Sequence, residues 1–113
     1  MNHLNYQRNL SHYKIRIINN MAKATLKLKN LAANATTTLV SGAGWIEGIN
    51  FNIAGASSNT VVVYDNTAGS GTILASYSTT ALGKQFIRGN FQTGLTVVIA
   101  TGTAADITVS YTN

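Results

Sequence analysis

The chain of 113 residues suits one domain, long enough to bury roughly 60–70% of the surface its unfolded form exposes. It contains no cysteine and no proline, which excludes disulfides and thiolate metal sites and leaves the turns to Gly, Asn, Asp and Ser. Charged residues make up 10%, against a usual share of about 25%, yet 45% are hydrophobic and net charge is only +5, which excludes a disordered composition.

In chain order, residues 1–20 are polar and basic, carrying Arg8, Lys14 and Arg16 interleaved with Tyr6 and Tyr13. Tyr13–Ile18 alternates weakly and could form a short strand before Asn19-Asn20 interrupts it. Met21 opens M-A-K-A-T-L-K-L-K-N, which reads as a second protein start. Residues 1–20 are therefore expected to be an extension or arm, or a product of start-site choice. The intact mass of the native protein separates these. Residues 21–113 are expected to form the compact domain. No acid stands in residues 1–30, so the basicity belongs to that end.

From residue 22 the signals are strand-like. Ala24, Leu26 and Leu28 alternate with Lys23, Thr25, Lys27 and Lys29, giving one apolar and one basic face. Ala35–Val40 is Thr-rich, and Trp45–Ile53 follows with Ile49, Phe51 and Ile53 alternating with asparagines. Thr60–Asp65 and Thr72–Tyr77 are β-branched runs flanking a loop of small and turn-forming residues, which spells a β-hairpin. Gln85–Phe91 is a weaker strand, broken by Gly89, and Leu95–Ala100 and Asp106–Thr112 close the chain. About eight short strands at this spacing predict an all-β fold, an antiparallel sandwich of jelly-roll type.

Two runs, Val61–Tyr64 and Val97–Ile99, do not alternate. A strand with one wet face reads apolar-in, polar-out. The runs therefore suggest strands covered on both faces, one of them by a neighbouring subunit, and Val62 and Tyr64 become candidate partner contacts. The alternative is a central strand whose outer face tolerates Val.

Reactive chemistry is sparse. His3 and His12 lie in the arm, with no ligand cluster in the body for a transition metal. Glu47, Asp65 and Asp106 fall on different predicted elements, and no nucleophile–base pair can be named, so no enzyme and no cofactor is expected. Gly42-Ala43-Gly44 and Gly69-Ser70-Gly71 lack the lysine and the helix of a phosphate loop and read as turns. Asp65-Asn66-Thr67 brings too few carboxylates for calcium. Arg8, Tyr13, Lys14 and Arg16 interleave cations with aromatics as single-strand binders do, but the body has no basic stripe. An acidic patch on a protein partner, with these four as contacts, or a solvated arm is preferred to nucleic acid. Residues 1–20 lack a secretory apolar stretch, and no run reaches the ~20 apolar residues of a membrane helix, so no membrane anchor is expected.

The stretches G-I-N-F-N-I-A-G-A-S-S-N-T-V-V-V-Y-D-N-T-A-G-S-G-T-I-L-A (48–75) and G-L-T-V-V-I-A-T-G-T-A-A-D-I-T-V-S-Y (94–111) resemble small β-sandwich virion proteins of tailed bacteriophages. The shared wording is a "Y-D-N, small-residue loop, S-G-T" hairpin and a closing "G-L-x-V…G-T-x-A-D-x-T-V-x-Y" element. The resemblance implies a structural protein of the virion, most often a head decoration (cement) protein. It would be a homotrimer on the capsid surface, partnered by the major capsid protein and made in the host cytoplasm. A fibre, tail-tip or head-spike module binding a receptor or carbohydrate is the other role it implies; Trp45, Tyr64 and Tyr77 are of a type that stacks on sugars, though each reads more simply as a core or strand residue. It supplies no catalytic residues.

Overall fold

The computed structural model describes residues 26–113. The arm at 1–20, with Arg8, Tyr13, Lys14, Arg16 and the short strand expected at Tyr13–Ile18, lies outside the described residues.

Every regular element among the described residues is a β-strand: β1 Lys27–Leu31, β2 Ala35–Ser41, β3 Gly44–Ile53, β4 Thr60–Asp65, β5 Thr72–Ser78, β6 Gly83–Phe91, β7 Gly94–Ala100 and β8 Asp106–Thr112. They form two antiparallel four-stranded sheets. Sheet A has the order β1-β8-β3-β6, and sheet B has β2-β7-β4-β5. The first strand thus pairs with the last, the second with the seventh, the third with the sixth and the fourth with the fifth. The β4–β5 hairpin is the innermost pair of this nest.

Alternation builds the core. Val61 and Val63 of β4, Leu95, Val97 and Ile99 of β7, Ile46, Ile49 and Phe51 of β3, and Ile107 and Val109 of β8 are buried in one cluster between the sheets. The Phe51 ring of sheet A meets Tyr77 of sheet B edge-on, 5.4 Å between centroids. Such apolar burial is the main stabilising term, about 25 cal/mol per Å² removed from water.

One end of the sandwich is pinned by the fully buried Asn59. Its Nδ2 faces the carbonyls of Ala100 (3.0 Å) and Thr101 (2.8 Å) and Oδ1 of Asn34 (2.9 Å). Its Oδ1 accepts the N–H of Ala105 at 3.2 Å, and its carbonyl accepts the N–H of Thr79. Four connections are thereby tied to one residue, that of Thr79 through its main chain and the others through its side chain, satisfying backbone groups that would be costly to bury unpaired.

The first strand is turned differently from a core strand. Lys27, Lys29 and Leu31 pair with the inward-facing Tyr111, Val109 and Ile107, while Leu28 pairs with Ser110 on the outer side. The apolar face read from Leu26 and Leu28 is the exposed one: Leu28 is 68% exposed. As β1 is a sheet edge, its lysines reach water past the rim of the core, and lysines there also discourage edge-to-edge pairing.

Candidate interaction surfaces

The outer face of sheet B holds Val62 and Tyr64, the candidate contacts in the body. Cross-strand register sets two rows there: Thr36–Val98–Val62–Ser76 and Thr38–Thr96–Tyr64–Ile73. Val62, Tyr64 and Val98 are each half-buried, and Thr96 is fully buried. The cover comes in part from the chain itself. The β4–β5 loop folds back across this face toward β2, so that Thr96 Oγ1 donates to the Asn66 carbonyl at 2.7 Å and Thr38 Oγ1 to the Thr67 carbonyl at 3.2 Å. Gly69 fits over the sheet because it lacks a side chain: a Cβ there would stand 2.8 Å from Val98 Cγ2 and 3.2 Å from Thr36 Cγ2. The unbroken valine run in β7 thus has an intramolecular cause that needs no second subunit.

The same hairpin anchors a second turn. Asp65 accepts the backbone N–H groups of Gln92 (3.0 Å), Thr93 (2.8 Å) and Gly94 (3.3 Å) at the β6–β7 connection. Those bonds, that from Gln92 first, hold its carboxyl below the ordinary aspartate range. Asp65 is therefore occupied by structure.

The outer face of sheet A carries the denser chemistry. β3 and β6 lose register between Ile46 and Gly48, with Ile87 and Arg88 of β6 standing opposite Glu47. This bulge brings Glu47, Lys84, Phe86, Arg88 and Ser110 together. Lys84 Nζ donates to Glu47 Oε1 and to Ser110 Oγ, both at 2.7 Å, and Ser110 Oγ lies 3.2 Å from Glu47 Oε1. The bond from Lys84 is the main reason the Glu47 carboxyl titrates low. The guanidinium carbon of Arg88 stands 4.0 Å from the centroid of the Phe86 ring, itself 57% exposed. Arg88 holds a left-handed φ of 52°, which is uncommon outside Gly, Asn and Asp.

Beside this cluster runs a row of amides. Asn30 and Asn52 donate to Asp106 Oδ1 at 2.7 and 2.9 Å, and Asn52 also reaches Thr108 Oγ1 at 2.9 Å. Asn50 donates to Asn52 Oδ1 at 2.6 Å. Trp45 is half-buried beyond the other side of the cluster, its register partners being Asn90 and Thr112.

Sequence reasoning placed Val62 and Tyr64 correctly on one strand and missed the Phe86–Arg88 cluster. Its members come from β3, β6 and β8, which meet only through long-range pairing. One signal was available: Lys84, Phe86 and Arg88 recur at every second residue, and Gly89 inside a strand marks a bulge. Among the described residues no group of three or more His, Asp or Glu side chains is placed to hold a metal ion. No family model and no curated protein matches the chain.

Proposed function

We propose that the chain is a structural protein of a tailed-phage virion: a jelly-roll capsid decoration (cement) protein that stabilises the head by bridging capsid subunits. The observation that carries this reading is the strand order. Pairing first with last and inward through the nest, split over sheets β1-β8-β3-β6 and β2-β7-β4-β5, supports a jelly-roll reading, an architecture recurrent in viral shells. The resemblance of residues 48–75 and 94–111 to small phage virion proteins supports the same assignment. The chain then acts without cofactor or catalysis, as a homotrimer against the major capsid protein at the capsid surface.

The physical basis of cementing is mass action. A protein that binds the assembled shell and not its dissociated subunits raises the shell's apparent stability with the logarithm of its concentration over its dissociation constant. Low surface charge and Thr- and Asn-rich faces suit such burial, since few charges must be stripped of water.

Titrating the purified chain onto expanded heads assembled without it tests the proposal. Saturable, stoichiometric uptake with a rise in the temperature of head disruption is the expected result. Binding to tails alone refutes it.

One observation favours the other reading, a fibre, tail-tip or spike module that binds carbohydrate. The hydrogen-bonded row of Asn30, Asn50, Asn52, Asp106 and Thr108 presents oriented donors and acceptors beside the exposed Phe86. Glycan binding by the isolated protein, lost in Asn52→Ala, would transfer the assignment to that class.

A further inference from the structure

We propose that the outer face of sheet A, centred on Phe86 and Arg88, docks a carboxylate-bearing extended segment of a partner protein. Register lays Leu28, Ser110, Gly48 and Phe86 in one row across β1, β8, β3 and β6. The two ends of the row are exposed apolar side chains, Leu28 at 68% and Phe86 at 57%. The two middle positions are small and buried, with the Lys84–Glu47 pair bonded to Ser110, so the row is a shallow trough floored by that pair, about 14 Å between its end strands at ordinary strand spacing. A segment laid along it meets an apolar wall at each end.

Charge selects the occupant. Lys84 is paired with Glu47 across the trough floor, the one ion pair among the described residues. Arg88 has no carboxylate partner among the described residues and is held against the Phe86 ring. The cluster therefore carries two cations, Lys84 and Arg88, against the one carboxylate of Glu47, with the guanidinium beside an exposed aromatic, the combination enriched at protein–protein hot spots. A second copy of this face would bring Arg88 against Arg88. A phosphate backbone would meet Glu47 beside a single free cation. A carboxylate meets Arg88 with bidentate geometry while its apolar neighbours cover Phe86 and Leu28.

The backbone supports a binding role for Arg88 in particular. Its φ of 52° is one that glycine adopts without strain, and a Cβ added at the adjacent Gly89 would have no heavy atom within 4 Å. The backbone of the bulge would therefore be less strained with glycine at this position than with arginine. Strain retained at an exposed side chain points to what that side chain meets.

The proposal rests on the virion reading only in taking the shell as the source of the acidic segment. The full chain, isotope-labelled, is titrated with a blocked peptide Glu-Val-Glu-Phe-Glu-Val, with its lysine counterpart, and with a ten-residue oligothymidylate. The acidic peptide is expected to give saturable amide shifts at Leu28, Gly48, Phe86, Arg88 and Ser110, weakening with salt. The lysine peptide and the oligonucleotide are expected to give none there. Arg88→Gly is expected to weaken peptide binding at least about tenfold while thermal stability holds or rises, and Phe86→Ala to weaken it as strongly. No shifts at these residues up to 5 mM (roughly 3 kcal/mol of binding), equal shifts with the lysine peptide or oligonucleotide, or unchanged binding by Arg88→Gly overturns the proposal. Heads that take up Arg88→Gly as well as the parent chain keep the cement reading and remove this surface. Peptide binding without uptake by heads does the reverse.

Discussion

Asp65 and Arg88 show two ways a single residue can be committed. Asp65 is committed to the fold: its carboxylate takes three backbone N–H groups at the β6–β7 connection. Its folded pKa lies below the ordinary aspartate value of 3.8, so the sign of its pH dependence follows. Its contribution is complete above that value and is lost as pH falls toward the lower folded pKa, because only the unfolded state binds the proton readily there. Glu47 and Asp106 are shifted the same way, by Lys84 and by Asn52 with Asn30 respectively. The fold should therefore weaken in acid below about pH 4. Asp65→Asn is expected to lower stability at neutral pH by about 1–2 kcal/mol, roughly 5–10 °C in Tm, and to flatten the acid limb of the stability curve. Thermal melts between pH 2 and pH 7 check both. An acid limb as steep as the parent's would mean that Asp65 is not among the groups that titrate on unfolding.

Elements were more legible than the faces they present. Eight strands could be read because β-branched runs alternate with Gly, Asn, Asp and Ser in a chain without proline, and the structure places each within a few residues of its expected span. The sandwich followed from that spacing. The hairpin loop at 66–71 was legible only as turn chemistry, since nothing local says that a loop will lie across a sheet. Gly71, with a φ of 98°, is the expected turn glycine, while Gly69 serves close approach to Val98. The orientation of β1 was not legible, because period two fixes which residues share a side but not which side is wet. The loop's hold on the sheet runs through Thr96, which has no water to fall back on. Thr96→Val keeps the shape and leaves the Asn66 carbonyl without its donor, so about 1 kcal/mol of stability should be lost. Amide exchange at Thr67–Ser70 should accelerate more than exchange in β7. A uniform acceleration everywhere would place the cost in the core and leave the loop's attachment elsewhere.

At the scale of the whole molecule, the nested pairing implies an order of assembly. β4 and β5 are joined by one short loop, whereas β1 ends at Leu31 and β8 begins only at Asp106. Closing the outer pair directly costs roughly 2 kcal/mol more in chain entropy than closing the hairpin. If the hairpin forms first, each later pair is separated by one further connection on either side, and the large closure is never faced at once. The same topology makes folding slow, on the order of milliseconds to seconds, since most pairings are distant in sequence. Val63 of β4 is fully buried and Leu31 of β1 half-buried, and both pack in the one core cluster. Val63→Ala should cost about 2–3 kcal/mol and Leu31→Ala about 1–2, each enough to interpret kinetically. Val63→Ala is expected to act mainly by slowing folding, and Leu31→Ala mainly by speeding unfolding. Stopped-flow chevrons of the two variants decide it: a folding limb slowed by Leu31→Ala, with that of Val63→Ala unchanged, would reverse the order and make the closure of first strand on last the step that organises the sandwich.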